Sequence, residues 1–303
     1  MTSTIELTAG PTRASIAPEV GGSLAAFEWV DKPIFRPTPS VAIDARDVQR
    51  FACFPLVPFS NRIAGGRLHW SGKTYPLTRY LPAVPHAIHG NAWQRAWDLT
   101  ESAPSSATLE LTHDARDARA LEWPFPYRAR QNVTLAADSL TLRLDIENTG
   151  DTAFPFGLGW HPYFPRSDAT ELGFHARAMW ETDFETLPKV LVPLNQNDFT
   201  TPRAIASTTL DNCFAGWQPP ARLSWPERRL AADISADAAC DHLVVYVPGG
   251  ANFLAVEPVT HMPDAFNRAN HGEPGTGTRA LAPGARFSCT MRISVGNLSD
   301  TAG

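Results

Sequence analysis

Two residues far apart in the chain stand directly before prolines, and their types suit proton transfer. His161 lies in Gly-Leu-Gly-Trp-His-Pro-Tyr-Phe (157–164) and Glu257 in Phe-Leu-Ala-Val-Glu-Pro-Val-Thr (253–260). A residue preceding proline is pushed out of the helical region into extended backbone. Both side chains are therefore expected at the ends of strands, on chain with little freedom. An imidazole and a carboxylate held in this way form a workable acid and base near neutral pH. Each also has a plainer reading. A strand-end glutamate can face solvent, and a histidine among aromatics can be a satisfied core residue.

Other polar residues could hold a substrate. Asn61 and Arg62 stand just ahead of the Gly65-Gly66 turn, with Tyr75 and Leu77 on an alternating strand beyond it. The arginine fork suits hydroxyls or carboxylates, although a surface arginine on a hairpin has the same local signature. Asp211, in Leu-Asp-Asn-Cys-Phe (210–214), could accept from two adjacent hydroxyls or simply cap a turn. His86 and His89 are three apart, which in extended chain turns them to opposite sides. With no third ligand nearby, no metal site is expected. Trp93, Trp160 and Trp217 each lie near one of these segments. An indole face is a platform for the apolar side of a sugar, yet most tryptophans are core.

The elements that must position these groups read as strands. Residues 141–147 and 286–295 alternate apolar and polar, and 107–111 and 130–135 do so more weakly. His242-Leu-Val-Val-Tyr-Val is a short apolar run, as in a strand covered on both faces. The 27 prolines and 20 glycines leave little room for long helices, and one turn of helix is expected between Asp44 and Phe51. Many short strands with regular turn signals point to an all-β sandwich or barrel. No internal repeat or low-complexity linker divides the 303 residues, so one large domain over 1–303 is expected, with a loose tail from Leu298.

Composition excludes several classes. A net charge of −5 without a basic cluster gives no footprint for nucleic acid or an anionic membrane. No stretch approaches the ~20 apolar residues of a membrane-spanning helix. The N-terminus lacks the charged start and apolar run of a signal peptide. Cys53, Cys213, Cys240 and Cys289 are scattered, as free thiols in a reducing compartment would be. The expected location is cytoplasmic. Residues 274–279 carry an incomplete dinucleotide-type glycine pattern, and neither a phosphate-binding P-loop nor a serine nucleophile elbow occurs.

Taken in order, Asn61-Arg62-Ile63-x-Gly65 is followed by His89-Gly90-x-x-Trp93, Trp160-His161-Pro162-Tyr163-Phe164, Leu210-Asp211 and Glu257-Pro258. This set resembles the aldose 1-epimerase (galactose mutarotase) family from about residue 15 to 295. The resemblance implies a large antiparallel β-sandwich, galactose mutarotase-like, with an open cleft for a free aldose. It implies Glu257 as general base and His161 as general acid. Arg62, His89 and Asp211 would hold sugar hydroxyls, with Asn61 and Trp93 beside them. The reaction would exchange α and β anomers by ring opening and reclosure, with no cofactor and no metal. After His89-Gly90 the chain reads Asn-Ala-Trp-Gln-Arg, and it also departs from galactose-converting members after Asp211. The identity of the sugar is therefore left open.

Three other readings compete. A non-catalytic sugar-binding protein on the same fold would keep Arg62, His89 and Asp211 without needing both Glu257 and His161. A glycoside hydrolase would use Asp211 and Glu257 as paired carboxylates, and would leave His161 unexplained. An epimerase acting on a sugar phosphate would want several cations in the cleft. The sequence by itself points only to Arg62.

Overall fold

The computed structural model describes residues 4–298. The expected tail therefore lies outside the described residues, apart from Leu298, whose N–H donates to the Arg229 carbonyl. Two large antiparallel sheets dominate. One has nine strands, in the order Asp98–Ala103, Ser106–His113, Tyr127–Ala136, Ser139–Asn148, Arg286–Asn297, Leu230–Ala236, Gln218–Trp225, Glu171–His175, Arg203–Ala204. All four alternating segments of the sequence fall in this sheet, in which Tyr127–Ala136 strictly alternates buried with exposed or half-exposed residues. One face packs inward and the other carries charge in cross-strand register. Glu110 stands opposite Arg130, which stands opposite Asp145.

The eleven-stranded sheet is built differently. Its path runs Ile5–Ala9, Thr12–Ala17, Ser23–Trp29, Cys53–Leu56, Gly159–Pro165, Phe253–Val259, His242–Val247, Leu210–Ala215, Ala178–Thr182, Pro188–Val192, with Lys32–Pro33 beside Ser23–Trp29. Its central strands are buried almost throughout. Cys53–Leu56 is wholly buried, and only Phe253 of Phe253–Val259 and Tyr246 of His242–Val247 are half-exposed. A strand covered on both faces has no polar alternation to show. One face meets the nine-stranded sheet through a contiguous apolar cluster that draws on both sheets. The other face is roofed by two excursions. One is the segment around the short helix Ser40–Ala45. The other runs from Val57 to Trp97, with the strand pair Arg62–Ile63 and Ala87–Ile88 and the hairpin Arg67–Trp70 and Lys73–Pro76.

Two expectations are corrected here. The helical turn lies earlier than Asp44–Phe51, over Ser40–Ala45. It stops because Arg46 turns into the left-handed region (φ 54°) and its N–H bonds back to Ala42 and Ile43. A separate 3₁₀ turn, Val48–Arg50, does fall inside the expected range. His161 and Glu257 do not end strands either. Each sits inside a central strand, and the prolines are accommodated together. The ladder between the two strands is paired at Gly159–Val259 and Tyr163–Ala255 and interrupted in between. Pro162 and Pro258 both fall within that gap, while their outer sides stay in register with Cys53 and Leu243. A residue without an N–H fits a central strand only where the ladder is already broken.

Candidate active site

The same register brings the two residues together. With Gly159 opposite Val259 and Tyr163 opposite Ala255, His161 falls directly opposite Glu257. Residues opposed across antiparallel strands share a face, with Cβ atoms about 5 Å apart. The side chains meet with His161 Nε2 3.3 Å from Glu257 Oε1, and both are nearly sealed from bulk solvent. The remaining polar atoms, His161 Nδ1 and Glu257 Oε2, have no hydrogen-bond partner among the described residues. Buried polar atoms are seldom left unpaired, so this pair is built to receive something.

Neighbouring strands fix the imidazole. Phe54, opposite His161 on the other side, stacks on it at 4.8 Å and 28°. Tyr163, two residues on and therefore on the same face, lies 4.5 Å away. His89 meets it edge-on at 5.3 Å. Together these rings form the floor of a cleft of about 530 Å³, which is enough for a small ligand. Leu81, Val84 and Ile88 from the Val57–Trp97 excursion give it an apolar wall, and Arg62 and Asp211 a polar one.

Asn61, Arg62 and His89 are organised by one small knot of backbone. Asn61 and His89 both adopt left-handed conformations (φ 57° and 64°). The His89 N–H donates to the Asn61 carbonyl, and the Asn61 N–H donates to His89 Nδ1. With Nδ1 acting as acceptor, the proton of neutral His89 resides on Nε2, which makes that nitrogen a donor. Gly90 allows the close approach, because a Cβ there would lie 2.1 Å from the Val57 oxygen. Asn61 Oδ1 accepts from the Arg62 N–H and from Arg62 Nη1. Arg62 Nη2 donates to Asp211 Oδ2 at 3.2 Å. His86, the other histidine of the pair, accepts from the Gly65 N–H and so is occupied elsewhere.

Trp93 also lines the cleft. It is 1% exposed, stacks on Phe54 at 5.5 Å and donates to the Gly90 carbonyl, so it supports the floor from beside it. Trp160, adjacent to His161, is fully buried and faces the opposite side of the strand, and Trp217 is also buried. Several cleft residues were not named as site candidates from the sequence: Arg36, Arg50, Phe54, Tyr163, Tyr246 and Phe253. For Tyr163 a signal existed, since it lies two residues from His161 on a strand. For Phe54, Arg36 and Arg50 none did, because only strand order and roofing loops bring them in.

Electrostatics set the proton inventory. Burial, reinforced by Asp211 and opposed by Arg62, holds the Glu257 carboxyl well above the usual carboxylate range. Burial, assisted by Arg36, pushes the His161 imidazole down to about 3. The protein's own groups therefore favour a neutral carboxyl beside a neutral imidazole, with one proton shared between them. His89 is also held well below the ordinary value, first by burial and then by His161 and Arg62. A neutral His89 keeps its donor geometry.

A family model described as aldose 1-epimerase matches residues 3–294. YphB, an uncharacterised protein of Escherichia coli K12, is 33% identical over 293 residues, 91% of this chain and 93% of that protein. Among solved structures, a candidate aldose 1-epimerase from Escherichia coli K12 superposes with a TM-score of 0.87 at 29% identity, covering 98% of this chain and 99% of that one. A galactose mutarotase-like protein from Clostridium acetobutylicum superposes with a TM-score of 0.84, over 97% of this chain and 95% of that one. At 18% identity that second likeness is one of fold. With a family model spanning nearly the whole chain and a relative a third identical along nine-tenths of it, this chain belongs to the aldose 1-epimerase family.

Proposed function

We propose that the protein interconverts the α and β anomers of an aldose, with Glu257 as base and His161 as acid. The observation that carries this reading is the opposed, buried pair at 3.3 Å, with one unpartnered atom on each side chain. Anomer exchange removes a proton from the C1 hydroxyl while the ring oxygen gains one. Those two oxygens share one carbon, so the reaction needs two proton-handling groups side by side, as His161 and Glu257 are.

The proton count closes. A bound sugar donates its C1 hydroxyl to Glu257 and accepts at the ring oxygen from His161, which favours carboxylate plus imidazolium over the neutral pair. Glu257 then takes the hydroxyl proton as the C1–ring oxygen bond breaks, and His161 gives its proton to that oxygen. The open-chain aldehyde turns about C1–C2. Reclosure returns both protons with the roles exchanged. Arg62, His89 and Asp211 hold the hydroxyls, and Asn61 orients Arg62 and His89. Two positioned groups, each contributing roughly 10²- to 10⁴-fold, make a useful catalyst over slow spontaneous mutarotation.

A paired-carboxylate hydrolase fits less well. Asp211 is committed to an ion pair with Arg62, and the group touching Glu257 is a histidine. The test is polarimetry of freshly dissolved α-anomers of glucose, galactose, xylose and arabinose. Wild type is expected to accelerate equilibration of at least one sugar, and Glu257→Gln to lose at least a hundredfold of that acceleration. Wild-type rates in the Gln variant would defeat the assignment.

A further inference from the structure

One end of the cleft carries positive charge that neither the acid–base pair nor the Arg62–Asp211 pair uses. The Arg36 guanidinium carbon lies 4.1 Å from the Tyr163 ring centroid and 4.6 Å from that of Phe253. Stacking on two aromatic faces fixes its plane. Among the described residues, the only hydrogen bonds of this guanidinium are long ones from Nη2, at 3.3 and 3.4 Å, to the Phe51 and Gln49 carbonyls. Nε and Nη1 have no partner among the described residues. Arg50 also lines the cleft and lies close enough to Arg36 to destabilise its charge. Neither arginine is ion-paired among the described residues, whereas Arg62 is neutralised by Asp211.

The position matches the chemistry at the other end. Tyr163 touches both the His161 ring and the Arg36 guanidinium. Arg36 and the acid–base pair thus share Tyr163 as a neighbour and line one cleft, with no hydrogen bond or ion pair between Arg36 and either member among the described residues. A pyranose with its C1 at Glu257 and His161 extends from them into the rest of that cleft. Phe253 continues the same line, since it lies four residues from Glu257 on the same face of its strand. Charge in the site points the same way. The Arg62–Asp211 pair cancels and the His161–Glu257 pair favours its neutral form, which leaves two uncompensated cations.

We propose that Arg36 and Arg50 form an anion subsite, so that the preferred substrate is an aldose bearing a carboxylate or phosphate at the end remote from C1. This rests on the anomer-exchange reading for the orientation of the sugar, but not for the presence of the subsite. A guanidinium held in plane, with its Nε and Nη1 donors unclaimed, is suited to a charge-assisted hydrogen bond with such a group, and the exposed Arg50 at the rim adds attraction.

The test measures binding and turnover separately. Dissociation constants of wild type are measured by calorimetry for glucose, glucuronate and glucose 6-phosphate at low salt, with anomerisation of the same three sugars followed by NMR. Tenfold or tighter binding of glucuronate or of the phosphate over glucose is expected, and which anion wins identifies the group. Arg50→Gln, at an exposed position where folding is not at stake, is expected to narrow that ratio several-fold. Raised salt is expected to weaken anionic sugars selectively. Equal or weaker binding of both anionic sugars overturns the subsite, and so does an Arg50→Gln loss that is the same for glucose. Selective anion binding without acceleration of any sugar would sustain the subsite while defeating the anomer-exchange reading.

Discussion

A carboxyl held high and an imidazole held low, in contact at 3.3 Å, keep one proton between them over a wide range of pH. The active inventory is that single proton, whichever atom carries it before the sugar binds. A second proton joins the pair only near the lowered His161 value of about 3. The kcat/KM for anomerisation, corrected for the spontaneous rate, is therefore expected to stay level from pH 7 to pH 5. An ordinary imidazole, titrating near 6.5, would instead impose an acid limb in that interval. A tenfold fall between pH 7 and 5 would mean that His161 is not shielded as its surroundings dictate. The types of these two residues, and the rigidity conferred by the following prolines, were legible in the sequence. Their direct contact was not, since nothing local says which strand neighbours which. Trp93 was legible as a cleft neighbour from the segment it shares with His89, but its stacking on Phe54 was not.

At the scale of elements, the site depends on where strands register and where loops are pinned. Alternation identified four strands of the nine-stranded sheet because one face there meets water. It was silent on Cys53–Leu56, buried on both faces and too short to stand out. The roofing excursion was legible only as turn signals, yet the Asn61–His89 exchange and the Gly90 approach determine where Asn61, Arg62 and His89 lie. Gly90→Ala tests this. Its φ of +69° disfavours any side chain, and the added Cβ would overlap a backbone oxygen that cannot rotate away. The variant is expected to lose about 1–3 kcal/mol in urea denaturation, the usual range for overpacking, and at least tenfold in kcat/KM through displaced His89. Retention of both would show that the loop adapts and that the knot is not what positions His89.

For the molecule as a whole, buried neutral histidines set the acid limit of stability. His261 Nε2 accepts from the Ser60 N–H, and its Nδ1 then donates to the Met262 carbonyl. A second ring proton would face an N–H. Burial is the larger cause, and the imidazole is lowered to about 4. A group with a depressed folded value binds fewer protons than in the unfolded chain between about 4 and 6.5. Its stabilisation is therefore present above the unfolded value and lost as pH falls. From His261 alone this amounts to about 3 kcal/mol across that window, at 1.36 kcal/mol per pKa unit. His89 adds in the same direction. Glu257 acts with the opposite sign and largely offsets His161, because that pair retains its proton throughout. The Tm is thus expected to fall steadily from pH 7 to pH 5 in thermal unfolding followed by circular dichroism. A constant or rising Tm would contradict it. The density of short strands anticipated an all-β sandwich or barrel and the family resemblance the sandwich, whereas its eleven-to-nine division follows from long-range pairing that periodicity does not encode.

The most direct measurement is a double-mutant cycle on anomerisation itself, with exchange between α and β resonances followed by NMR for wild type, Glu257→Gln, His161→Gln and the double variant. If the two residues share one proton and act as a unit, each single change costs at least a hundredfold, and the double variant is no slower than the worse single one. Strictly multiplicative losses would mean that they work independently, and wild-type exchange in Glu257→Gln would contradict the mechanism outright.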